Sequence, residues 1–196
     1  MERHELTELH CITPIANMQS IMTYGLLSHN GAERVAHVSI ADPTIQGRRS
    51  PKSVPGGLSL HDYVNLYINA RNKMMYKRLD QQQVVCVLRV DPAVVDTPHA
   101  IIVDRNASSD WARFYPSPEG LAHIDPERVF AEYWTHDDPF EAMEHGSIVC
   151  AEVLVPHRID PAYFLGAYVS CEEARWELAK LDLGIDIQLN AYLFFR

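Results

Sequence analysis

The strongest constraint on the fold is an apolar run at residues 147–156, S-I-V-C-A-E-V-L-V-P, that holds a single carboxylate, Glu152. The run predicts a buried β-strand in which Ile148, Cys150, Glu152 and Leu154 share one face. Burying an unpaired carboxylate is costly, so Glu152 is expected to open onto a cleft or to have a partner there. The alternative is an edge-strand glutamate that faces water. On the first interpretation, Glu152 is the leading catalytic candidate.

The composition is typical of one globular domain spanning residues 1–196. With 47% hydrophobic and 22% charged residues, the chain is not of the disordered class. No segment approaches the roughly 18 apolar residues of a membrane span, and the N-terminus lacks the apolar core of a signal peptide. We therefore expect a cytoplasmic protein that makes no membrane contact.

The four cysteines and ten histidines show no metal-binding spacing. No C-x-x-C, H-E-x-x-H or H-x-H occurs, which argues against a zinc knuckle and against a secreted disulfide scaffold. We expect no metal site.

Charge is distributed unevenly along the chain, which has a formal net charge of −9. Residues 1–78 hold nine lysines and arginines against six acidic residues, a net of +3, whereas residues 79–196 hold eight against twenty, a net of −12. A polyanion would bind the first part. The alternative is ordinary charge scatter on one folded surface.

Short predicted strands and helices without a βαβ rhythm indicate an α+β fold. Thr13-Pro14 is typical of a helix start and Gly25 of its end, and residues 30–57 read as one long loop. Further strands are predicted at 61–67, 84–90, 101–103, 163–170 and 185–195, and further helices around 126–133 and at 171–183.

Two basic segments are candidates for nucleic-acid contact. One lies in the long loop at residues 46–52, and the other, residues 70–78, mixes cations with tyrosine and methionine. Such a mixture can follow a phosphodiester backbone and stack bases, but it also suits a partly exposed amphipathic helix. The candidate DNA-binding residues are Arg48, Lys52, Arg71, Lys73, Lys77 and Arg78.

Taken in order, several segments resemble the DarT family of DNA ADP-ribosyltransferase toxins from bacterial toxin–antitoxin modules. They are H-x-I-T at 10–13, I-x-N-M-x-S-I-M at 15–22, G-L-L-S-H-N at 25–30, Arg49, H-D-Y-V-N-L-Y-I-N-A-R-N-K-M-M-Y at 61–76, D-R-N-A-S-S-D-W-A-R-F-Y at 104–115, F-A-E-Y-W at 130–134, and the strand with Glu152. The resemblance covers about 150 residues.

The resemblance implies an ADP-ribosyltransferase fold, a split mixed β core with flanking helices that grips NAD+ in a cleft. It implies transfer of ADP-ribose to a base, thymidine or guanosine, in single-stranded DNA, with Glu152 and Arg49 as catalytic residues. It also implies a macrodomain antitoxin that removes the modification. The implied NAD+-binding residues are His10, Cys11, Ile12, Thr13, Gly25, Leu27, Arg49, Tyr63, Tyr67 and Tyr76.

The chemistry of these residue types agrees with the resemblance. Cleavage of the nicotinamide–ribose bond passes through an oxocarbenium-like state that a buried carboxylate can stabilise, and Glu152 could also accept a proton from the base. Arg49 would hold a phosphate or a base edge through its planar fork of donors.

The sequence departs from the family pattern at one point and leaves alternatives open. Cys11 stands where many members have histidine, so the side-chain role of His10 is open, and Arg48 could take the place of Arg49 if the alignment shifts by one. The alternative functions are an ADP-ribosyltransferase or NAD glycohydrolase acting on RNA or protein, and a catalytically silent nucleic-acid-binding module.

Overall fold

A computed structural model describes all residues, 1–196, and its centre is one eight-stranded mixed sheet. Across the sheet the strands run β10-β9-β4-β1-β3-β7-β5-β6, with only the β9–β10 pair parallel. The strands are β1 (Leu9–Pro14), β2 (Leu26–Leu27), β3 (Tyr63–Tyr67), β4 (Val85–Val90), β5 (Ile101–Val103), β6 (Phe114–Pro116), β7 (Glu152–Pro156), β8 (Arg158–Ile159), β9 (Phe164–Val169) and β10 (Ile187–Leu189). Strands β2 and β8 form a separate two-stranded sheet.

The large sheet is nearly split at its middle. Strand β1 pairs with β4 along all six of its residues, but it meets β3 at one position only, His10 opposite Tyr67. Beyond His10, the β3-facing edge of β1 has no strand partner. Backbone groups on such an edge are available to a ligand.

Seven short helices flank the sheet: α1 (Met18–Tyr24), α2 (His29–Ala32), α3 (Pro43–Arg49), α4 (Lys73–Tyr76), α5 (Pro126–Val129), α6 (Pro139–Ile148) and α7 (Glu172–Ala179). The largest apolar cluster holds 27 buried residues from the strands, from α1, α5, α6 and α7 and from the turns between them. The predicted α+β fold is therefore confirmed. None of the helices has both the length and the apolar character that crossing a membrane requires.

The apolar run at 147–156 is not one strand. Its first residues close α6, Val149 and Cys150 form a turn, and the strand β7 begins only at Glu152. A continuous apolar run is buried in either conformation, so periodicity alone did not separate the end of a buried helix from a strand. Within β7 the predicted alternation holds, with Leu154 in one apolar cluster and Val153 in another.

Other boundaries also differ from the sequence prediction. Strand β1 continues through Pro14, so α1 starts later, at Met18, after a short 3-10 turn. The predicted last strand is only Ile187–Leu189 and is followed by a 3-10 turn, Ala191–Phe194, whose Phe194 is fully buried. Burial of that aromatic ring outweighed the alternating pattern of the tail.

Two helix ends have well-defined terminal residues, and one of them was predicted. Gly25 ends α1 with φ +83°, and a Cβ there would lie 2.4 Å from the carbonyl oxygen of Ile159, so only glycine fits. The predicted long loop contains α3, which the sequence reading missed. Asp42 caps it by accepting from the Thr44 N–H, and Pro43 occupies its first turn.

Candidate active site

The most unusual feature of the interior is a buried ion pair between Arg49 and Glu152. Arg49 Nη1 lies 3.0 and 3.2 Å from the two carboxylate oxygens of Glu152. The backbone N–H of Ala107 also donates to Glu152 Oε1, at 3.4 Å. Glu152 is 0% exposed and Arg49 is 4% exposed. The expected partner for the buried carboxylate is therefore present.

Burial raises the pKa of Glu152 above its ordinary value, and the charge and hydrogen bond of Arg49 only partly oppose this effect. A carboxylate with a raised pKa is a stronger base than an exposed one. Burial, followed by the charge of Glu152, also raises the pKa of the neighbouring Tyr67, which keeps its phenol protonated as a hydrogen-bond donor.

The ion pair joins two distant parts of the fold. Glu152 is the first residue of β7 and stands opposite Tyr67 on β3 and Val103 on β5. Arg49 is the last residue of α3, which lies over this end of the sheet. The helix therefore brings the guanidinium to the carboxylate across 103 positions of sequence.

A cleft of about 840 Å³ opens where the sheet is split. One wall is the free edge of β1, residues 11–14, and another is formed by Asn65 and Tyr67 of β3. The segments 37–49 and 106–111 and part of α6 complete it. Arg49 lines the cleft, whereas Glu152 lies behind it. This volume is in the range of small-molecule sites.

One side chain fixes the segment that closes the cleft over β1. The Asn17 side chain donates from Nδ2 to the Val38 carbonyl and accepts the Val38 N–H at Oδ1, both at 2.8 Å. Asn17 is buried and lines the cleft, so its amide holds residues 37–41 in place. In the sequence, Asn17 stands within a segment that resembles the family, but no pattern there predicts its role.

The structure brings together half of the expected NAD+-binding residues. Cys11, Ile12, Thr13, Tyr67 and Arg49 line the cleft. The other five do not line it. His10 faces a second, smaller pocket, and Gly25 and Leu27 lie by β8. Tyr63 is buried in an apolar cluster, and Tyr76 belongs to a partly exposed aromatic group.

The six expected DNA-binding cations also divide into groups. Arg48 and Lys73 line the cleft, and neither side chain has a hydrogen-bond or ion-pair partner in the structure. Lys77 lines it too but is paired with Asp42 at 2.7 Å.

The remaining three cations make internal contacts. Lys52 binds Asp110 and the Ser108 carbonyl, both at 2.7 Å. Arg78 donates to the carbonyls of Ile40 and Lys77. Arg71 lines the second pocket. These three therefore have less freedom to meet a DNA backbone in the cleft.

Sequence reasoning gave no individual role to the residues of the loop at 106–111. Ala107 binds Glu152 there, and Trp111 lines the cleft with 47% of its surface exposed, its ring 5.0 Å from that of Phe140. The signal in the sequence was the family resemblance of residues 104–115, which include this loop. No group of three or more metal-type side chains gathers in the chain.

Comparison with known proteins agrees with this arrangement. A family model described as "ssDNA thymidine ADP-ribosyltransferase, DarT" matches residues 10–191. The chain belongs to the DarT family. The match includes both members of the buried pair and every segment that lines the cleft.

The sequence of a DarT relative matches most of this chain. A DNA ADP-ribosyl transferase–DNA ADP-ribosyl glycohydrolase fusion protein of Thermosipho africanus is 31% identical over 180 residues, which is 88% of this chain and 45% of the relative. This chain thus spans less than half of that fusion protein.

Two solved structures of Thermus sp. 2.9 DarT align over 97% of this chain. One, in complex with ADP-ribosylated ssDNA, has 27% identity, a TM-score of 0.82 and 97% of its own chain covered. The other, in complex with carba-NAD+, has 26% identity, a TM-score of 0.77 and 98% of its own chain covered.

Proposed function

We propose that this protein transfers ADP-ribose from NAD+ to a base in single-stranded DNA and releases nicotinamide. The observation that carries the proposal is the buried Arg49–Glu152 pair, in which Arg49 lines the cleft of a split sheet and Glu152 lies behind it. A binding module without chemistry has no need of a carboxylate whose burial is so unfavourable. The DarT complexes with carba-NAD+ and with ADP-ribosylated ssDNA support the same reaction.

The NAD+ end of the reaction fits the free edge of β1. Unpaired backbone groups beyond His10 suit the carboxamide of nicotinamide, which needs one donor and one acceptor. Arg49 Nη2 is buried and has no hydrogen-bond partner, so it is a donor ready for a phosphate or ribose oxygen.

Arg49 stands between the cleft and Glu152, so an anion that draws its guanidinium outward exposes the carboxylate to the substrate. Glu152 then stabilises positive charge that develops on the ribose and accepts the proton that the base loses. The raised pKa of Glu152 suits the second of these roles.

The acceptor end fits an unpaired strand. Arg48 and Lys73 supply free cations at the cleft, and Trp111 with Phe140 supplies an aromatic surface on which a base can stack. Extruding a base from duplex costs a few kcal/mol, which a protein of net charge −9 has little electrostatic attraction to offset. We therefore propose single-stranded DNA as the acceptor.

The remaining parts of the proposal come from the family. Thymidine is the base named in the family description, and guanosine is the alternative. The fusion of transferase and glycohydrolase in the Thermosipho relative supports a macrodomain antitoxin as partner. We propose that residues 1–196 act as one domain, in the cytoplasm, where NAD+ and transiently single-stranded DNA occur together.

Mass spectrometry of treated oligonucleotides tests the function. Protein and NAD+ are incubated with mixed-sequence single-stranded DNA, matched duplex or RNA. The nucleic acid is then digested to nucleosides, and the masses of these nucleosides are measured. We expect one ADP-ribosyl group on a single type of nucleoside, from single-stranded DNA only. Glu152→Gln should show no product, while the surface variant Glu177→Gln should match the wild type.

Other outcomes identify the alternatives. Nicotinamide release without a modified acceptor would indicate an NAD glycohydrolase. A label on RNA or on protein would move the activity to that substrate class. Normal transfer by Glu152→Gln would remove Glu152 from the mechanism.

A further inference from the structure

A second pocket of about 310 Å³ lies beside the cleft and has no part in the proposed chemistry. Its walls include three aromatic side chains, one cation and two groups with free hydrogen-bonding capacity: Phe130, Tyr168, Tyr192, Arg71, His10 and Asn190. Strand β1 reaches both sites. His10 faces the second pocket and Thr13 faces the cleft, three residues or about 10 Å further along the strand.

Two buried polar atoms of this pocket have no partner, His10 Nδ1 and Arg71 Nε. His10 is 7% exposed, and its Nε2 lies 3.1 Å from Glu8 Oε1. Because a carboxylate only accepts, Nε2 carries the proton in the neutral ring, and Nδ1 is then a bare acceptor. Nδ1 is buried and has no hydrogen-bond partner. A buried acceptor of this kind calls for a donor from a ligand.

The charges of the pocket favour a neutral ligand over an anion. Burial alone would raise the pKa of Glu8, but hydrogen bonds from His10, Arg89 and Tyr168 outweigh it and lower that pKa to about 2. Glu8 is therefore ionised at neutral pH. Arg71, the nearby cation, already donates to the Tyr192 carbonyl at 2.6 Å. A phosphate would meet the negative charge of Glu8 on this wall.

A partly exposed aromatic group joins the pocket to the cleft. The rings of Tyr76, Trp134 and Phe195 pack edge to face, with centroids 5.4 to 6.3 Å apart. At one end, Phe195 lies 4.0 Å below the guanidinium carbon of Arg71. At the other end, Trp134 Cδ1 is 3.5 Å from the point that a Cβ on the cleft residue Gly146 would occupy.

We propose that the second pocket binds one nucleobase of the single-stranded DNA, a few nucleotides from the base that is modified in the cleft. The inference rests on the proposed function, since it takes the strand in the cleft to be DNA. The pocket volume suits one base. Phe130, Tyr168 and Tyr192 supply stacking surface, and His10 Nδ1 accepts from an N–H of the base. The intervening nucleotides cross the partly exposed aromatic group.

Abasic scanning tests the proposal. Oligonucleotides with one acceptor base carry an abasic site at each flanking position in turn, and KM for DNA and kcat are measured with the wild type. We expect one flanking position, separated from the acceptor by a few nucleotides, at which the abasic site raises KM about tenfold and leaves kcat unchanged.

The variants Tyr192→Ala and Phe130→Ala remove two walls of the pocket. Each should raise KM for the intact oligonucleotide about tenfold and should abolish the further penalty of the abasic site at that one position. Nicotinamide release without DNA should be unchanged. Tyr163→Ala, at a tyrosine that is 38% exposed and lines neither site, is the matched control and should keep the full abasic penalty.

Two results would overturn the proposal. One is a wild type with no sensitive flanking position, and the other is an equal abasic penalty in the wild type and in both pocket variants. Misfolding of a variant would weaken the binding of all oligonucleotides alike. The additional increase in KM caused by the abasic site would then remain. If no DNA is modified at all, the proposed function fails, and fluorescence anisotropy with the same abasic series still decides whether the pocket holds a base.

Discussion

At the scale of single residues, the Arg49–Glu152 pair combines two unequal positions. Arg49 reaches the cleft, where its guanidinium can turn toward solvent, whereas Glu152 is sealed behind it. If the carboxylate of Glu152 is removed, the Arg49 guanidinium can be hydrated from the cleft. Loss of the guanidinium leaves a buried carboxylate whose remaining hydrogen bond is from the Ala107 N–H, so it is expected to take up a proton.

The raised pKa of Glu152 predicts a specific pH dependence of stability. The folded state binds this proton more tightly than the unfolded state, whose carboxyl has a pKa of about 4.3. The free energy of unfolding, relative to Glu152→Gln, should therefore fall as pH rises from about 4 through the folded pKa. Urea denaturation of the wild type and of Glu152→Gln at a series of pH values measures this difference in the free energy of unfolding. If the difference increased with pH, the effect of Arg49 on the pKa of Glu152 would outweigh the effect of burial.

The two adjacent arginines of α3 should differ in activity. Arg49→Ala should lower kcat for transfer about 100-fold or more, because Glu152 loses its charged partner and the substrate loses the donor that positions its phosphate or ribose oxygen. Arg48→Ala should mainly raise KM for DNA, because Arg48 is exposed and has no internal partner. Steady-state kinetics with an oligonucleotide separates the two effects, and equal losses at both positions would contradict the assignment of Arg49.

At the scale of elements, α3 matters most, because its last residue is Arg49. The helix has only seven residues, so it depends on its cap and on Asp42 in particular. Asp42 also binds Lys77, and hydrogen bonds from Lys77 and the Thr44 N–H lower its pKa to about 2. One aspartate thus caps the helix and ties it to the residue that follows α4.

A glycine in α3 offers a test of this dependence. Gly47 lies inside the helix, and a Cβ there would meet no atom within 4 Å. Gly47→Ala should therefore raise the free energy of unfolding by about 0.5–1 kcal/mol, through helix propensity alone.

Gly120→Ala is the contrasting variant. A Cβ there would lie 2.6 Å from Tyr115 Cβ and 2.8 Å from Ile102 Cβ, so we expect a loss of about 1–3 kcal/mol. Urea denaturation measures both. Destabilisation by Gly47→Ala would mean that α3 is not helical around this position in solution.

At the scale of the whole molecule, the charge asymmetry of the sequence is reduced by pairing. Only Arg48 and Lys73 of the six candidate cations both line the cleft and lack a partner. The net +3 of residues 1–78 therefore overstates the attraction that the cleft offers to DNA.

Salt dependence of DNA binding should separate the free cation from the paired one. Lys73→Gln should reduce the slope of log K against log salt by about 0.7, the value for one contact to a single strand. Lys77→Gln should change it less, since Asp42 already balances Lys77 at 2.7 Å. Fluorescence anisotropy with a labelled oligonucleotide measures both, with Lys180→Gln as the distant control. Equal slopes for Lys73→Gln and Lys77→Gln would contradict this reading of the cleft.

The sequence by itself determined the features that depend on near neighbours. It predicted Gly25 as the end of α1 because only glycine relieves the local backbone strain, and it marked Glu152 as a carboxylate that needs a partner or a cleft. The α+β class followed from short alternating segments in the same way. The missed helix α3 was within reach, since Asp42 and Pro43 are a local start signal.

Only the tertiary structure decided which residues meet. Arg49 and Glu152 are 103 positions apart in the sequence, and the paired residues Lys77 and Asp42 are 35 positions apart. Neighbours in sequence can also face different sites, as His10 and Cys11 do at the point where β1 leaves β3. Local patterns report the period and polarity of a segment. Ion pairs, cavities and free edges depend on how distant segments pack, and no local pattern encodes that.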